Sequence, residues 1–202
     1  MTRWYTEKKR EHFYKKAKVD GYRARSAYKL LQLQRRFHIL SAGDTVIDLG
    51  AAPGGWSQVA RKVIGPEGKV IGVDLQPIQP LPDVVFLTGD ITEETTLNAL
   101  YEYMECRRAD VILSDMSPNI SGNYSIDHAQ SVFLCQQALV VAGSLLKPHG
   151  SFVCKLFEGD MIDEFITDLQ QRFSVIKRFH PKASRKSSSE IYIVAKQFKQ
   201  KQ

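Results

Sequence analysis

The sequence predicts an α/β fold built on a doubly wound, seven-stranded, mostly parallel sheet with an antiparallel last strand and helices on both faces. Three observations carry this. Short apolar runs rich in Val and Ile alternate with amphipathic stretches of helical period along the chain. The run Val46-Ile47-Asp48-Leu49 ends in a glycine-rich turn, Gly50 to Gly55, and a helix pattern follows at once. Between the last two apolar runs lies only His180 to Ser189, too short for a crossover helix, so these two strands should pair antiparallel.

In chain order, Glu7 to Lys18 reads as a short basic helix, with Phe13 and Tyr14 for docking, broken at Asp20-Gly21. Ala24 to His38 reads as a second helix, because Ala27, Leu30, Leu33 and Phe37 recur three and four apart. Lys29 borders that apolar stripe, one turn before Leu33. Thr45 to Gly50 is the first strand and Ser57 to Ile64 the helix after it. Gly65-Pro66-Glu67-Gly68 turns the chain into strand two, Lys69 to Asp74. The proline-rich stretch Gln76 to Asp83 is a loop before strand three, Val84 to Thr88. Helix Glu93 to Met104 and strand Ala109 to Asp115 follow. Ser117 to Ile126 is a mobile loop, and Asp127 caps a long helix to about Leu146. Pro148-His149-Gly150 turns into strand five, Ser151 to Phe157. Helix Met161 to Arg172, strand six from Phe173 to Phe179 and strand seven from Glu190 to Lys196 complete the pattern.

The 202 residues are 43% hydrophobic and 25% charged, the balance of one soluble domain with a full core. No apolar run reaches the length of a membrane span, and the basic start lacks the apolar stretch of a secretory signal. Cys106, Cys135 and Cys154 are far apart and form no CxxC, which reads as reduced thiols in a cytoplasmic protein with no metal site. The expected state is a monomer. The net charge of +6 is unevenly spread. Residues 1–38 hold 12 Lys/Arg against 3 Asp/Glu, residues 39–172 hold 8 against 18, and residues 173–202 hold 8 against 1. Two basic ends brought to one face would make a surface suited to phosphate backbones. Arg3, Lys8, Lys9, Arg10, Lys15, Lys16, Arg23 and Arg25, with Tyr5, Tyr14 and Tyr22 between them, are candidates for that surface. Lys182, Arg185 and Lys186 are candidates near the last strand.

Topology concentrates chemistry on one edge. Parallel strands put their C-terminal ends together, so Asp48, Asp74, Asp90, Asp115 and Lys155 share a rim. Strand seven runs the other way, so its first residue, Glu190, joins them. Gly50 is followed by three non-glycines before Gly54-Gly55, which departs from the Gly-x-Gly-x-x-Gly spacing of dinucleotide sites.

The order of these elements looks like the class I methyltransferase version of the doubly wound fold, Rossmann-like in layout. The chain resembles the FtsJ family of RNA 2′-O-ribose methyltransferases, most closely its single-domain branch acting on large-subunit (23S-type) ribosomal RNA. The matching pieces run in order from Arg25-Ser26-Ala27-Tyr28-Lys29-Leu30 through Asp48-Leu49-Gly50-Ala51-Ala52-Pro53-Gly54-Gly55-Trp56-Ser57-Gln58, Asp74-Leu75 and Gly89-Asp90-Ile91. They continue with Ser114-Asp115-Met116-Ser117-Pro118-Asn119, Lys155-Leu156-Phe157 and Ser187-Ser188-Ser189-Glu190-Ile191-Tyr192.

The resemblance implies S-adenosylmethionine as cofactor. It places Gly54 and Trp56 in the glycine-rich loop contacts, Asp74 on the cofactor's ribose hydroxyls, Asp90 at the adenine and Asp115 near the methionine end. It also implies a catalytic Lys-Asp-Lys-Glu tetrad at Lys29, Asp115, Lys155 and Glu190, and a ribose in ribosomal RNA, a uridine, as target. The same reaction on tRNA or another RNA, and a non-catalytic role in ribosome assembly, are the alternatives. A ribose hydroxyl must lose its proton as it attacks, and a lysine amine can take it only when neutral. The sequence leaves open whether Lys155 acts as that base or as a charged group steering the hydroxyl.

Overall fold

A computed structural model describes residues 13–105, 107–184 and 189–199. The start of the expected first helix, the basic residues Arg3 to Arg10, Tyr5, Cys106, Arg185 and Lys186 lie outside the described residues. Residues 13–19 are helical (α1). There follow α2 (Ala27–Phe37), β1 (Thr45–Leu49), α3 (Gly55–Ile64), β2 (Lys69–Asp74), β3 (Val84–Thr88) and α4 (Glu94–Tyr103). The second half holds β4 (Ala109–Ser114), α5 (Tyr124–Leu145), β5 (Leu146–Phe157), α6 (Ile162–Arg172), β6 (Phe173–Phe179) and β7 (Glu190–Phe198).

The strands form one sheet in the order β3-β2-β1-β4-β5-β7-β6. Strands β1 to β5 pair parallel, and β7 is inserted antiparallel to both β5 and β6. The central strands are buried on both faces, which is why they are almost continuously apolar, while the edge strand β6 is largely exposed. On one face α2 and α3 pack Leu30, Leu33, Trp56 and Val59 against Val46, Val111, Tyr192 and Val194. On the other, α4, α5 and α6 pack Leu100, Val132, Leu139 and Phe165 against Ile47, Ile112, Phe152 and Ile193. Alternate residues of each strand serve the two cores.

Three boundaries differ from the sequence reading. Residues 24–26 are a turn of i→i+3 bonds, closed by Ala27 N–H to Ala24 O and Lys29 N–H to Ser26 O, so α2 starts at Ala27. Helix α5 begins at Tyr124, capped by Asn123, whose side-chain oxygen accepts from Ser125 N and Ile126 N. Asp127 lies inside the helix and folds back to accept from Ser121 N, Ser121 Oγ and Gly122 N, which pins the end of the preceding loop. The 148–150 turn is absorbed into β5, where His149 takes a positive φ of 65° and the pairing with β4 shifts register between Ala109 and Val111. No helix among the described residues is long and apolar enough to cross a membrane.

Candidate active site

The rim is shaped first by the turn after β1. Gly50 has φ +74°, and a Cβ there would stand 2.6 Å from Met116 Cγ, so only glycine lets the turn cross the end of β4. The N–H groups of Gly50 and Ala51 both donate to Val73 O, at 2.9 and 3.0 Å, binding the turn to β2. Asp74, closing β2, accepts from Ala52 N and from Gln76 N, each at 2.9 Å. Its carboxylate is thereby fixed in direction, with further lone pairs left to accept. Asp90 accepts from Thr92 N and Thr92 Oγ1, both at 2.8 Å, and these bonds hold its carboxyl below the usual range.

Between these loops opens a cleft of about 420 Å³. Asp74, Asp90 and Asp115 line it, with Gly50 and Ala52 from the first turn and Leu75, Ile91, Met116 and Phe133 as apolar wall. Three carboxylates, with Gln76, Thr92, Ser117 and Gln137, face an apolar wall, which suits a small cofactor that has both polar and apolar parts. Gly54 and Trp56 do not line this cleft. The Trp56 side chain is buried, donates from Nε1 to Ser26 O at 2.9 Å and lies 5.7 Å from the Tyr192 ring. Gly54 faces Arg23 instead, whose Nη1 would meet a Cβ at 2.9 Å.

At one end of the cleft four charged side chains meet. Lys29 from α2 stands 2.6 Å from Glu190, the first residue of β7. Lys155 from β5 stands 3.1 Å from Asp115 Oδ1 and donates to Asp115 O at 2.6 Å. The side chains are 8% and 11% exposed in the first pair and 7% and 15% in the second, so water screens both weakly. Tyr192 joins the pairs. Its hydroxyl donates to Asp115 Oδ1 at 2.7 Å, and its ring lies 5.6 Å from the Lys29 ammonium. Register brings the parts together: Phe157 pairs with Glu190 and Lys155 with Tyr192 across β5 and β7. The four residues of the expected Lys-Asp-Lys-Glu set lie together, as two ion pairs bridged by a tyrosine.

The electrostatics follow from burial. Burial alone would raise the Glu190 carboxyl, but the Lys29 ammonium outweighs it, with help from the Ser184 hydroxyl, and the carboxyl is lowered. Burial drives the Tyr192 phenol well above its ordinary value, and Asp115 and Glu190 add to that, so it stays a donor. Asp48 lies wholly buried behind the turn, with Oδ2 accepting from Ser57 Oγ at 2.6 Å. Burial pushes its carboxyl up to about 7 against the Ser57 bond, and the charges of Asp115 and Asp74 add to the rise.

The expected RNA contacts fare unevenly. Arg23 is not a free cation: its guanidinium donates to Gln79 O at 2.5 Å, Pro80 O at 2.6 Å and Pro53 O at 3.3 Å. It clamps the 76–83 loop to the turn beside the cleft. Tyr22 packs edge-on against Tyr28, and Phe13 docks on the same ring at 5.5 Å. Tyr14 is exposed, with Lys18 4.8 Å over its ring.

Tyr192, Phe133 and the buried His128 were missed as individual residues. His128 Nδ1 is 2.9 Å from Phe157 O and its Nε2 accepts from Met161 N at 3.1 Å, which folds the 158–161 loop over the end of β5. A Cβ at Gly159 would collide with that ring. The pattern of one polar residue among buried apolar neighbours was visible at Tyr192, but its hydroxyl partner lies 77 positions away. Among the described residues no group of three or more His, Cys, Asp or Glu is placed to hold a metal ion.

The FtsJ-like methyltransferase family matches residues 22–198. A Ribosomal RNA large subunit methyltransferase E from Methanothrix thermoacetophila is 49% identical over 93% of this chain and 72% of its own length. Its namesake from Methanocaldococcus jannaschii is 46% identical over 97% and 82%, and that from Acinetobacter baumannii 45% over 95% and 88%. A solved structure from Plasmodium falciparum, described as a ribosomal RNA methyltransferase, superposes with a TM-score of 0.82 at 29% identity, covering 89% of this chain and all of that one.

Proposed function

The chain belongs to the FtsJ-like methyltransferase family, and we propose that it transfers the methyl group of S-adenosylmethionine to the 2′-hydroxyl of a ribose in large-subunit ribosomal RNA. The observation that carries this is the meeting of Lys29, Asp115, Lys155 and Glu190 at the mouth of the cleft. The substrate assignment is supported by the names of relatives at 45 to 49% identity.

The cleft suits the cofactor. Asp74, held by two backbone N–H groups, has lone pairs left for the two hydroxyls of a ribose. Asp90 lies where an adenine edge would meet it, with Leu75 and Ile91 as apolar wall. Asp115 takes the methionine end. The glycine-rich turn would meet the cofactor through Gly50 and Ala52, which line the cleft, while Gly54, whose N–H donates to Ala51 O at 2.6 Å, holds the shape of the turn and Trp56 anchors the start of α3 on Ser26 O. S-adenosylmethionine supplies a methyl group on a positively charged sulfur, already activated for transfer.

The residues of the chain then align and deprotonate the acceptor. Bound beside Asp74, Asp90 and Asp115, the cofactor would give its methyl to the hydroxyl oxygen and leave as a neutral thioether, so the one proton the protein has to take is the hydroxyl's. The hydroxyl proton goes to Lys155. To take it, the Lys155 ammonium of the ion pair must first release a proton, and the amine then keeps two N–H groups, which Asp115 O and Asp115 Oδ1 accept. Its lone pair is then the position left for the hydroxyl proton. Lys29 and Glu190 orient the ribose beside it. Alignment supplies the larger share, on the order of 7–11 kcal/mol when reacting groups are well placed.

Incubation with methyl-labelled S-adenosylmethionine and either large-subunit ribosomal RNA or free tRNA tests this reading. Label at a 2′-O-methyl ribose of the ribosomal RNA is the expected result. Label only in tRNA would move the substrate, and none in any RNA would remove the activity.

A further inference from the structure

The cleft and the tetrad leave one charged feature of the molecule without a role. Along α2, Lys29, Gln32 and Arg36 stand three and four residues apart and form one stripe. Lys29 holds Glu190 at its head. Gln32 accepts the backbone N–H of Lys182 at 2.6 Å. At its foot the Arg36 guanidinium lies 5.6 Å from the Phe37 ring, and Phe37 meets Phe179 of β6 edge-on at 5.4 Å. On β6, Lys177 stands opposite Val194, on the sheet face that packs against α2. Lys182, Arg36 and Lys177 are all exposed. Phe37 and Phe179 therefore close a seam between α2 and the sheet edge, and these exposed cations line it from the Lys29–Glu190 pair onward. From Glu190 to the level of Lys196 it spans six strand residues, about 20 Å at roughly 3.4 Å each.

The two faces of this edge carry opposite charge. Among the described residues no carboxylate lies within ion-pair distance of Arg36, Lys177 or Lys182. On the far face α6 presents Asp163, Glu164 and Asp168, and Arg178, which alternates to that side, is paired with Asp163 at 2.6 Å. A polyanion at the rim is thus drawn to one face and repelled by the other.

We propose that this basic seam between α2 and β6 holds the ribose–phosphate backbone of the RNA strand flanking the methylated nucleotide. The proposal rests on the RNA methyltransferase reading and adds the path of the substrate. A strand whose ribose lies at Lys155 passes Lys29 and then meets Lys182, Arg36 and Lys177, and the carboxylates beside that path, Glu190 and Glu158, stand against Lys29 and His180. These contacts read phosphate and not bases, so they contribute affinity and salt dependence in place of sequence choice.

The test is binding of an in vitro transcript of large-subunit ribosomal RNA at several salt concentrations. The variant Arg36→Gln/Lys177→Gln is compared with Lys62→Gln/Arg107→Gln, which removes two exposed cations elsewhere. The expected result is roughly tenfold weaker binding for the first variant near 0.1 M salt. Its plot of log K against log salt should be shallower by roughly 1.4 to 1.8, at 0.7 to 0.9 per lost phosphate contact. Its turnover at saturating RNA and its S-adenosylmethionine affinity should match wild type, and the control should keep the wild-type slope. An unchanged slope in the Arg36→Gln/Lys177→Gln variant, or an equal loss in the control, would overturn this path. A wild-type protein that methylates no RNA would overturn the underlying reading instead, whatever the slopes.

Discussion

Tyr192 donates a 2.7 Å hydrogen bond to Asp115 while its ring lies 5.6 Å from the ammonium of Lys29. One buried side chain therefore touches both ion pairs of the rim. Tyr192→Phe keeps the ring and removes the hydroxyl. Turnover should fall roughly tenfold or more, from loss of a bond to a charged acceptor worth about 1.5–3 kcal/mol. Affinity for S-adenosylmethionine should be unchanged, because Tyr192 does not line the cleft. Steady-state kinetics with separate titration of cofactor and RNA checks both.

The Lys29–Glu190 pair is nearly dry, so removing one partner strands the other. Lys29→Ala should cost about 3 kcal/mol in urea unfolding, whereas Lys29→Met/Glu190→Leu should recover most of it. The pair also sets an acid limit. The Glu190 carboxyl is lowered in the folded protein, so its contribution is full above the unfolded value of 4.5 and is lost as pH falls through the lower folded value. Glu190→Gln should lack this acid loss.

Asp48 acts with the opposite sign. Its folded value of about 7 exceeds the unfolded 3.8, so the folded state holds the extra proton between them and stability falls as pH rises across that window. Asp48→Asn removes the titration. The variant should gain on wild type from pH 4 to pH 7 and keep the gain at pH 8, by at most roughly 4 kcal/mol at about 1.36 kcal/mol per unit. Urea midpoints across that range measure it.

Arg23 ties two loops beside the cleft through three main-chain carbonyls. Arg23→Gln should free the 76–83 loop, seen as faster amide exchange there, and weaken S-adenosylmethionine several-fold. Turnover at saturating cofactor should be close to wild type, since Arg23 does not reach the tetrad.

Much of this was legible in the sequence. Strands β2, β3 and β6 end where apolar runs and turn residues say, because their periods and punctuation are local. The convergence of Asp74, Asp90, Asp115, Lys155 and Glu190 followed from strand direction alone. What was not legible depends on partners distant in sequence. Asp127 has the composition of a helix cap, but Asn123 takes that place because Asp127 turns to Ser121 and Gly122. Arg23 counts as a basic residue, yet which carbonyls it meets is decided by a loop 56 positions on. Trp56 sits in the glycine-rich motif, but its indole is drawn into the core by Ser26 and Tyr192.

The proposed reaction turns on Lys155 as the group that receives the hydroxyl proton. Single-turnover methyl transfer to large-subunit ribosomal RNA by wild type and Lys155→Ala, with S-adenosylmethionine affinity measured alongside, tests it most directly. The variant should bind cofactor normally yet transfer roughly 10² to 10⁴ times more slowly. A variant that transfers at the wild-type rate would contradict it.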